Sequence, residues 1–418
     1  MSLFTDHFKV SSEEYTEGEI TMNEFALGGR VRNLANPMML WFNGSTYAVG
    51  YKPNNQNNQV WAQKQTGDNI DAYTVGTGTS VSEPLNHPVP AIFIDDSGYI
   101  YVAQNEFHVN PFRLWRSDSP EDISSFTLVG SFDTNGSYLA LIKQSDTNVT
   151  LSTRSGDNSL AVKGYDYSVL EVDLTNASYT KTLVVEMDFG TNQVRAYLGG
   201  TSFHGTSDYR AYGLSSRKEG TSRFYKYSIM WSDDSDTFYN SGMSFNKNVP
   251  ATSAITYSEL DTNYSFIGSD SAQITDISAC NMIQVGDDAF VSYRTGSGAF
   301  SIKKVNRITG TEAEVALGLS LFNATNGDNN VYLYYNGSNI VMTVKMSDQA
   351  VKIYTLETDL SGLAYVRDIE NAVDGNYIGM PANLSEVPNG DSYLITGRSI
   401  SYPSGTTPYV ITTNKWIS

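Results

Sequence analysis

Histidine is scarce in this chain. There are four in 418 residues, and two of them, His87 and His108, flank a single strand-forming stretch. Imidazole is the side chain best suited to moving protons near neutral pH, so two brought together would form a site for general acid–base work. The stretch between them, AIFIDDSGYIYVA (91–103), turns back at Asp96-Ser97-Gly98. A hairpin there returns both flanking histidines to the same end of one element. The single cysteine, Cys280, can form no internal disulfide and has no CxxC or Cys/His spacing for zinc, so it reads as a small buried apolar residue.

The elements that must position this pair repeat along the chain. A short run of alternating, β-branched or aromatic residues is followed by a turn of Asn, Gly, Asp or Ser and then a second run. Seven such units open near MLWFNGSTYAVGY (39–51), AIFIDDSGYIYVA (91–103), LALIKQSDTNVTLSTR (139–154), YRAYGLSSR (209–217), NMIQVGDDAFVSYR (281–294), VYLYYNGSNIVMTV (331–344) and LSEVPNGDSYLITGR (384–398). Third strands follow in several of them, as FRLWRS (112–117), FYKYSIMWS (224–232), FSIKKVNR (300–307) and VKIYTLE (351–357). A spacing of roughly fifty residues is the period of propeller blades of four antiparallel strands. No segment carries a 3.6-residue apolar stripe. The expectation is one all-β domain over residues 1–418, a seven-bladed β-propeller. Its ring would be closed by pairing the carboxy-terminal PYVITTNKWIS with DHFKV or GEITMNE near the amino terminus.

The run NHPVPAIFIDDSGYIYVAQNEFHVNPFRLWRSDSPEDISSF (86–126) resembles the BNR-type propeller family that contains the ulvan lyases. That family reads similarly as a His, a buried strand, a DxxGYIH-like hairpin, H-V-x-P-L-x-Y-x-R-S and a P-x-D-I-S-x-F tail. Further on, LSTRSG (151–156), VRAYLGG (194–200) and YGLSSRKE (212–219) follow in the family's order, so the resemblance covers about residues 83–240. It implies a polysaccharide lyase that cleaves a uronic-acid-containing polysaccharide by β-elimination. Carried over, His87 and His108 take the two histidine positions, Tyr197 the tyrosine and Arg217 the arginine. Arg217 would neutralise the uronate as a permanently charged fork, His108 and Tyr197 would move the protons, and His87 would hold or polarise the substrate. Asn110, Arg113 and Arg154 are candidate substrate contacts, as Asn and Arg at strand ends bind sugar hydroxyls and carboxylates.

The chain also departs from the family. Where relatives carry a His-Asp pair ahead of a Tyr-Ala-x-Ser strand, this chain has TSRFYKYSIMWSDD (221–234), so no metal site and no cofactor are expected. The interval from Tyr197 to Arg217 is stretched by TSFHGTSD (201–208), read as a loop that carries His204. SDDSDTFYN (232–240) is a degraded sialidase-type box without its Gly and Trp, which ranks that chemistry low. The paired aspartates Asp95, Asp96 and Asp287, Asp288 read as turn formers, not as a calcium loop.

Composition bounds the partners. The formal net charge of −18, with no basic cluster, repels phosphate backbones and anionic lipid, so neither nucleic acid nor membrane is expected as a partner. No stretch approaches the roughly 18 apolar residues of a membrane helix, and MSLFTDHFKV has neither the basic nor the apolar region of a signal peptide. The partner expected is an acidic polysaccharide, met by an extracellular or virion-associated protein. An alternative from another class is a non-catalytic glycan-binding or structural virion protein, such as a bacteriophage tail component, assembling as a homo-oligomer or into the particle.

Overall fold

The computed structural model describes residues 15–20, 39–51, 59–66, 69–77, 90–104, 112–132, 136–143, 147–155, 166–187, 194–198, 200–204, 207–218, 224–249, 251–267, 281–294, 300–319, 331–335, 337–347, 351–369, 377–380, 392–399 and 409–416. Nearly all of them are in strands or tight turns. Strand β1 (Tyr15–Ile20) comes first in the chain and belongs to the last sheet. The first sheet is β2 (Met39–Phe42), β3 (Ser45–Tyr51), β4 (Gln59–Thr66) and β5 (Asn69–Thr77). The second is β6 (Ala91–Ile94), β7 (Ile100–Gln104), β8 (Phe112–Ser117) and β9 (Phe126–Phe132).

The third sheet comprises β10 (Gly136–Lys143), β11 (Asn148–Ser155), β12 (Asp166–Asp173) and β13 (Ser178–Glu186). The fourth begins with β14 (Val194–Leu198), but the chain then leaves it. Strand β15 (Gly200–His204) pairs in parallel with the fifth sheet before β16 (Arg210–Lys218), β17 (Phe224–Ser232), β18 (Thr237–Tyr239) and β19 (Asn246–Asn248) complete the fourth. Strand β20 (Ile255–Thr256) extends the third sheet in parallel beside β13. A short helix α1 (Tyr257–Asn263) follows, and β21 (Ser265–Ile267) then pairs with β17.

The fifth sheet is β15 with β22 (Asn281–Val285), β23 (Asp288–Arg294), β24 (Phe300–Asn306) and β25 (Glu312–Ala316). The sixth is β26 (Val331–Tyr335), β27 (Ile340–Lys345), β28 (Val351–Leu356) and β29 (Ala364–Ile369). The seventh is β30 (Tyr377–Met380), β31 (Ser392–Ser399) and β32 (Tyr409–Trp416), and β1 adds to its outer edge with Tyr15 opposite Trp416.

The first six sheets meet in apolar seams, and alternation along the inner strands of the second to fifth feeds two seams at once. In the second sheet, Ile100, Val102 and Trp115 pack with Tyr47, Val60 and Val75 of the first. Their neighbours Tyr101, Ala103 and Leu114 pack with Val149, Leu151 and Leu170 of the third. Tyr167 and Val169 meet Ala196, Tyr212 and Leu214 of the fourth sheet, whose other face, with Ala211, Tyr227 and Ile229, meets Met282 and Val291 of the fifth. The fifth joins the sixth through Ile283, Phe290, Leu333 and Met342. A strand buried on both faces needs a nearly continuous apolar run, and these runs are the strand units visible in the sequence.

Three details differ from the sequence-based expectation. The fourth unit opens on β14, with YRAYGLSSR as its second strand. Four of the sheets have four strands, while the third and fifth have five and the fourth has six, and two of the added pairings are parallel. The helix α1 is the third. It is held by a reciprocal cap in which the Thr256 hydroxyl accepts from the Glu259 N–H and the Glu259 carboxylate accepts from the Thr256 N–H, yet it buries only Leu260. Of the two amino-terminal candidates for edge pairing, part of GEITMNE lies in β1, and DHFKV lies outside the described residues.

Candidate functional site

The hairpin between the two histidines forms in the predicted register, with Ala91 opposite Ala103 and Ile94 opposite Ile100. Its turn is fixed by Asp95, whose carboxylate accepts from the Tyr99 N–H at 2.8 Å and whose carbonyl accepts from the Gly98 N–H at 2.9 Å. Gly98 sits at φ +87°, a conformation natural to glycine. The chain therefore enters at Ala91 and leaves at Gln104 on the end opposite the turn. His87, His108 and Asn110 lie outside the described residues.

Arg113, the second residue of β8, stands directly opposite Gln104, and its guanidinium donates to the Thr77 carbonyl at the end of β5. It therefore ties the second sheet to the first. Beside it, the Gln104 side chain is 1% exposed and its amide oxygen has no hydrogen-bond partner among the described residues, an arrangement that costs about 1–3 kcal/mol. Nothing in the spacing of the sequence singled out Gln104.

The fourth sheet brings Tyr197 and Arg217 together. Tyr197 on β14 stands opposite Ser215 on β16, and Arg217 lies two residues further along β16, so all three positions fall on one face. Ala196 and Leu214 on the opposite face are buried against the third sheet. The face of Tyr197, Ser215 and Arg217 is that of Ala211, which packs toward the fifth sheet, and Ser215 is fully buried.

Arg154 occupies a different seam. It pairs with Tyr167, so its position shares the face of the third sheet that meets the fourth. Arg113, Arg154 and Arg217 thus belong to three separate seams. The expected cationic pocket would have to be assembled at the ends of those seams, not within one of them. His204 is the last residue of β15, opposite Val285, and the stretched Tyr197–Arg217 interval is a whole inserted strand where a loop was expected.

At the other end of the third and fourth sheets lies a groove of about 430 Å³, lined by Asn148, Thr150, Glu171, Asp173, Tyr179, Asp233, Asp234 and Ser235 among others. The groove reaches Thr150 on β11, so its edge and the position of Arg154 near the end of that strand are about 13 Å apart. Burial raises the Glu171 carboxyl; the Ser235 hydroxyl acts against that, while Asp236 and Asp234 add to it. The Tyr212 hydroxyl lies 3.1 Å from that of Ser235, and burial pushes this phenol up to about 12. Asp173 and Asp234 are held low by turn donors, the first by Asn176 and the second chiefly by the Thr237 N–H acting against burial. A groove with this charge repels anionic sugars. Among the described residues no group of three His, Cys, Asp or Glu is placed to hold a metal, and no helix is long and apolar enough to cross a membrane.

Sheets joined face to face through shared apolar seams define a propeller-like all-β protein. Its fold is that of solved polysaccharide lyases. A PL25 ulvan lyase superposes with a TM-score of 0.69 at 12% identity, covering 95% of both chains, and the same figures hold for a PL25 ulvan lyase bound to -[GlcA(1-4)Rha3S]-. The polysaccharide lyase Uly1 superposes with a TM-score of 0.63 at 11% identity, covering 98% of this chain and 96% of that one. No family model matches the chain, and no curated protein matches it in sequence.

Proposed function

We propose that this chain is a carbohydrate-active enzyme, a lyase that cleaves a uronic-acid-containing polysaccharide by β-elimination. On this reading the seven sheets are seven blades of a single domain over residues 1–418, β1 closes the ring within the seventh, and residues 83–240 carry the site. The observation that carries it is the register of the fourth sheet. A tyrosine and an arginine share one face at a strand end, in a fold held in common with ulvan lyases, at the positions the family resemblance assigns.

The chemistry follows from those residue types. Arg217 neutralises the uronate carboxylate, which acidifies the proton at C5. A base, His108 or Tyr197, takes that proton as the C5–H electrons form the C4–C5 double bond and the C4–O bond breaks. The other of the two protonates the departing glycosidic oxygen, and His87 holds the substrate. Asn110, Arg113 and Arg154 contact neighbouring sugars. An acidic polysaccharide is the substrate, reached outside the cell or on a virion surface, and no cofactor is invoked.

The test is direct. The unsaturated product of elimination absorbs in the ultraviolet, so incubation with ulvan and a panel of other uronate polysaccharides should raise that absorbance. His108→Ala and Tyr197→Phe should each abolish the rise while the circular dichroism spectrum stays native. A flat trace over the whole panel removes the lyase reading, and activity surviving in both variants removes the residue assignment.

A further inference from the structure

Arg195 is not among the residues to which the family resemblance assigns a role; it stands where the family's N-A-Y-L-G element has its asparagine. The strand pairing nevertheless sets it directly opposite Arg217, and Arg217 directly opposite Tyr225 on β17. The next row inward is Tyr197, Ser215 and Tyr227. No register shift interrupts either pairing. The alternate positions Ala196, Tyr212 and Leu214 are buried in the seam with the third sheet, which puts both rows on the other face. The outer row therefore reads Arg, Arg, Tyr across three strands, immediately beside the proposed catalytic tyrosine.

Two arginines in direct register are an unfavourable choice for a sheet, because opposed positions bring side chains of like charge together. This chain has little reason to make that choice. It holds 45 acidic residues against 27 basic ones. Elsewhere several described cations are matched to carboxylates, as Lys226 to Asp261, Lys247 to Glu259, Lys304 to Asp288 and Arg307 to Asp287. A juxtaposition that works against the sheet becomes favourable once an anion lies between the two planar forks, since each guanidinium can offer paired donors to a carboxylate.

We propose that Arg195 is a second substrate-binding arginine, and that Arg195 and Arg217 form a clamp closing on one uronate carboxylate. This rests on the glycan-cleaving reading above. Two cations on one carboxylate also fit the chemistry, because the negative charge on that group grows as the C5 proton leaves and neutralisation must grow with it.

The experiment compares Arg195→Gln and Arg195→Lys with the wild-type chain. The readouts are elimination kinetics on ulvan and on polygalacturonate, thermal stabilisation by the same polymers, and melting temperature without ligand. Loss of a charge-assisted interaction lowers kcat/KM of Arg195→Gln by about tenfold to a hundredfold, with kcat falling as well as KM rising. Arg195→Lys recovers part of that loss. The ligand-free melting temperature of Arg195→Gln stays level or rises, because a repulsion has been removed. Wild-type kinetics in Arg195→Gln overturn the clamp. So does a fall in ligand-free stability that accounts for the lost activity, which would make Arg195 a structural ion-pair partner. A wild-type chain that is stabilised by polyuronate without cleaving it, with the stabilisation lost in Arg195→Gln, keeps the clamp and removes the lyase reading. A chain that neither binds nor cleaves removes both.

Discussion

Replacing Gln284 by methionine removes a pin between the fourth and fifth sheets while nearly conserving side-chain length. Gln284 lies on β22 with no exposed surface. Its amide oxygen accepts from the Ala211 N–H at 2.8 Å, and its amide nitrogen donates to the carbonyls of Tyr209 at 2.9 Å and Gly286 at 2.8 Å. The Ala211 bond is buried and the other two partly buried, so the losses are unequal. A fully buried N–H left without a partner costs about 1–3 kcal/mol, and two carbonyls that can turn partly to water add about 0.5 kcal/mol each. The apolar side chain recovers some of the amide's own desolvation, leaving a net loss of about 2–3 kcal/mol. Urea unfolding followed by tryptophan fluorescence should show a lower midpoint with an unchanged slope. A loss under about 1 kcal/mol would refute the assignment of Gln284 as the pin, because it would mean that other donors and acceptors had taken its place.

Two further outcomes follow from close contacts and from charge. At Gly213 an added Cβ would stand 2.0 Å from the Tyr227 hydroxyl oxygen and 3.0 Å from the Met282 methyl, in a buried seam where the tyrosine ring cannot swing away, so Gly213→Ala should cost about 1–3 kcal/mol in the same unfolding assay; an alanine variant as stable as wild type would show that the seam is loose. Glu171 has its folded pKa raised, chiefly by burial, so its contribution is fully present below the ordinary carboxylate range and lost as pH rises through the folded value. Glu171→Gln should therefore melt like wild type at about pH 4 and at a higher temperature near neutrality, and an equal shift at both pH values would sink the electrostatic account.

Much of the architecture can be read from the chain because the inner strands of the second to fifth sheets must satisfy two seams. Asn43-Gly44, at φ 45° and 82°, closes β2 to β3 in a two-residue turn that the sequence announces. Asp95 and Gly98 do the same for β6 and β7. Strand β15 escaped notice for a physical reason. GTSFH offers one aromatic residue in a Gly, Ser and Thr background, and its partner β22 lies far along the chain in parallel, with no turn to mark the pairing. The helix α1 escaped because one buried leucine makes no periodic stripe, and only the Thr256-x-x-Glu259 spacing could have signalled it. The order of Tyr197 and Arg217 was visible in the sequence. Their common face, and the place of Arg195 opposite Arg217, depended on the strand pairing.

That dependence explains where a site can be in this fold. Positions in the middle of β16 are committed on both faces, as Leu214 is to the third sheet and Ala211 to the fifth, so charge costs least where such strands run out of their seams. The third and fourth sheets use their two ends oppositely. Glu171, Asp233 and Asp234 line one end, while at the other Arg154 lies near the end of β11, Arg195 near the start of β14 and Arg217 near the end of β16. With a formal net charge of −18 the protein as a whole repels an anionic polymer, and the acidic groove adds to that repulsion at its own end. Among the described residues of these two sheets, the arginine end is the one this charge pattern opens to a polyuronate, and it is the end that holds the proposed clamp and Tyr197.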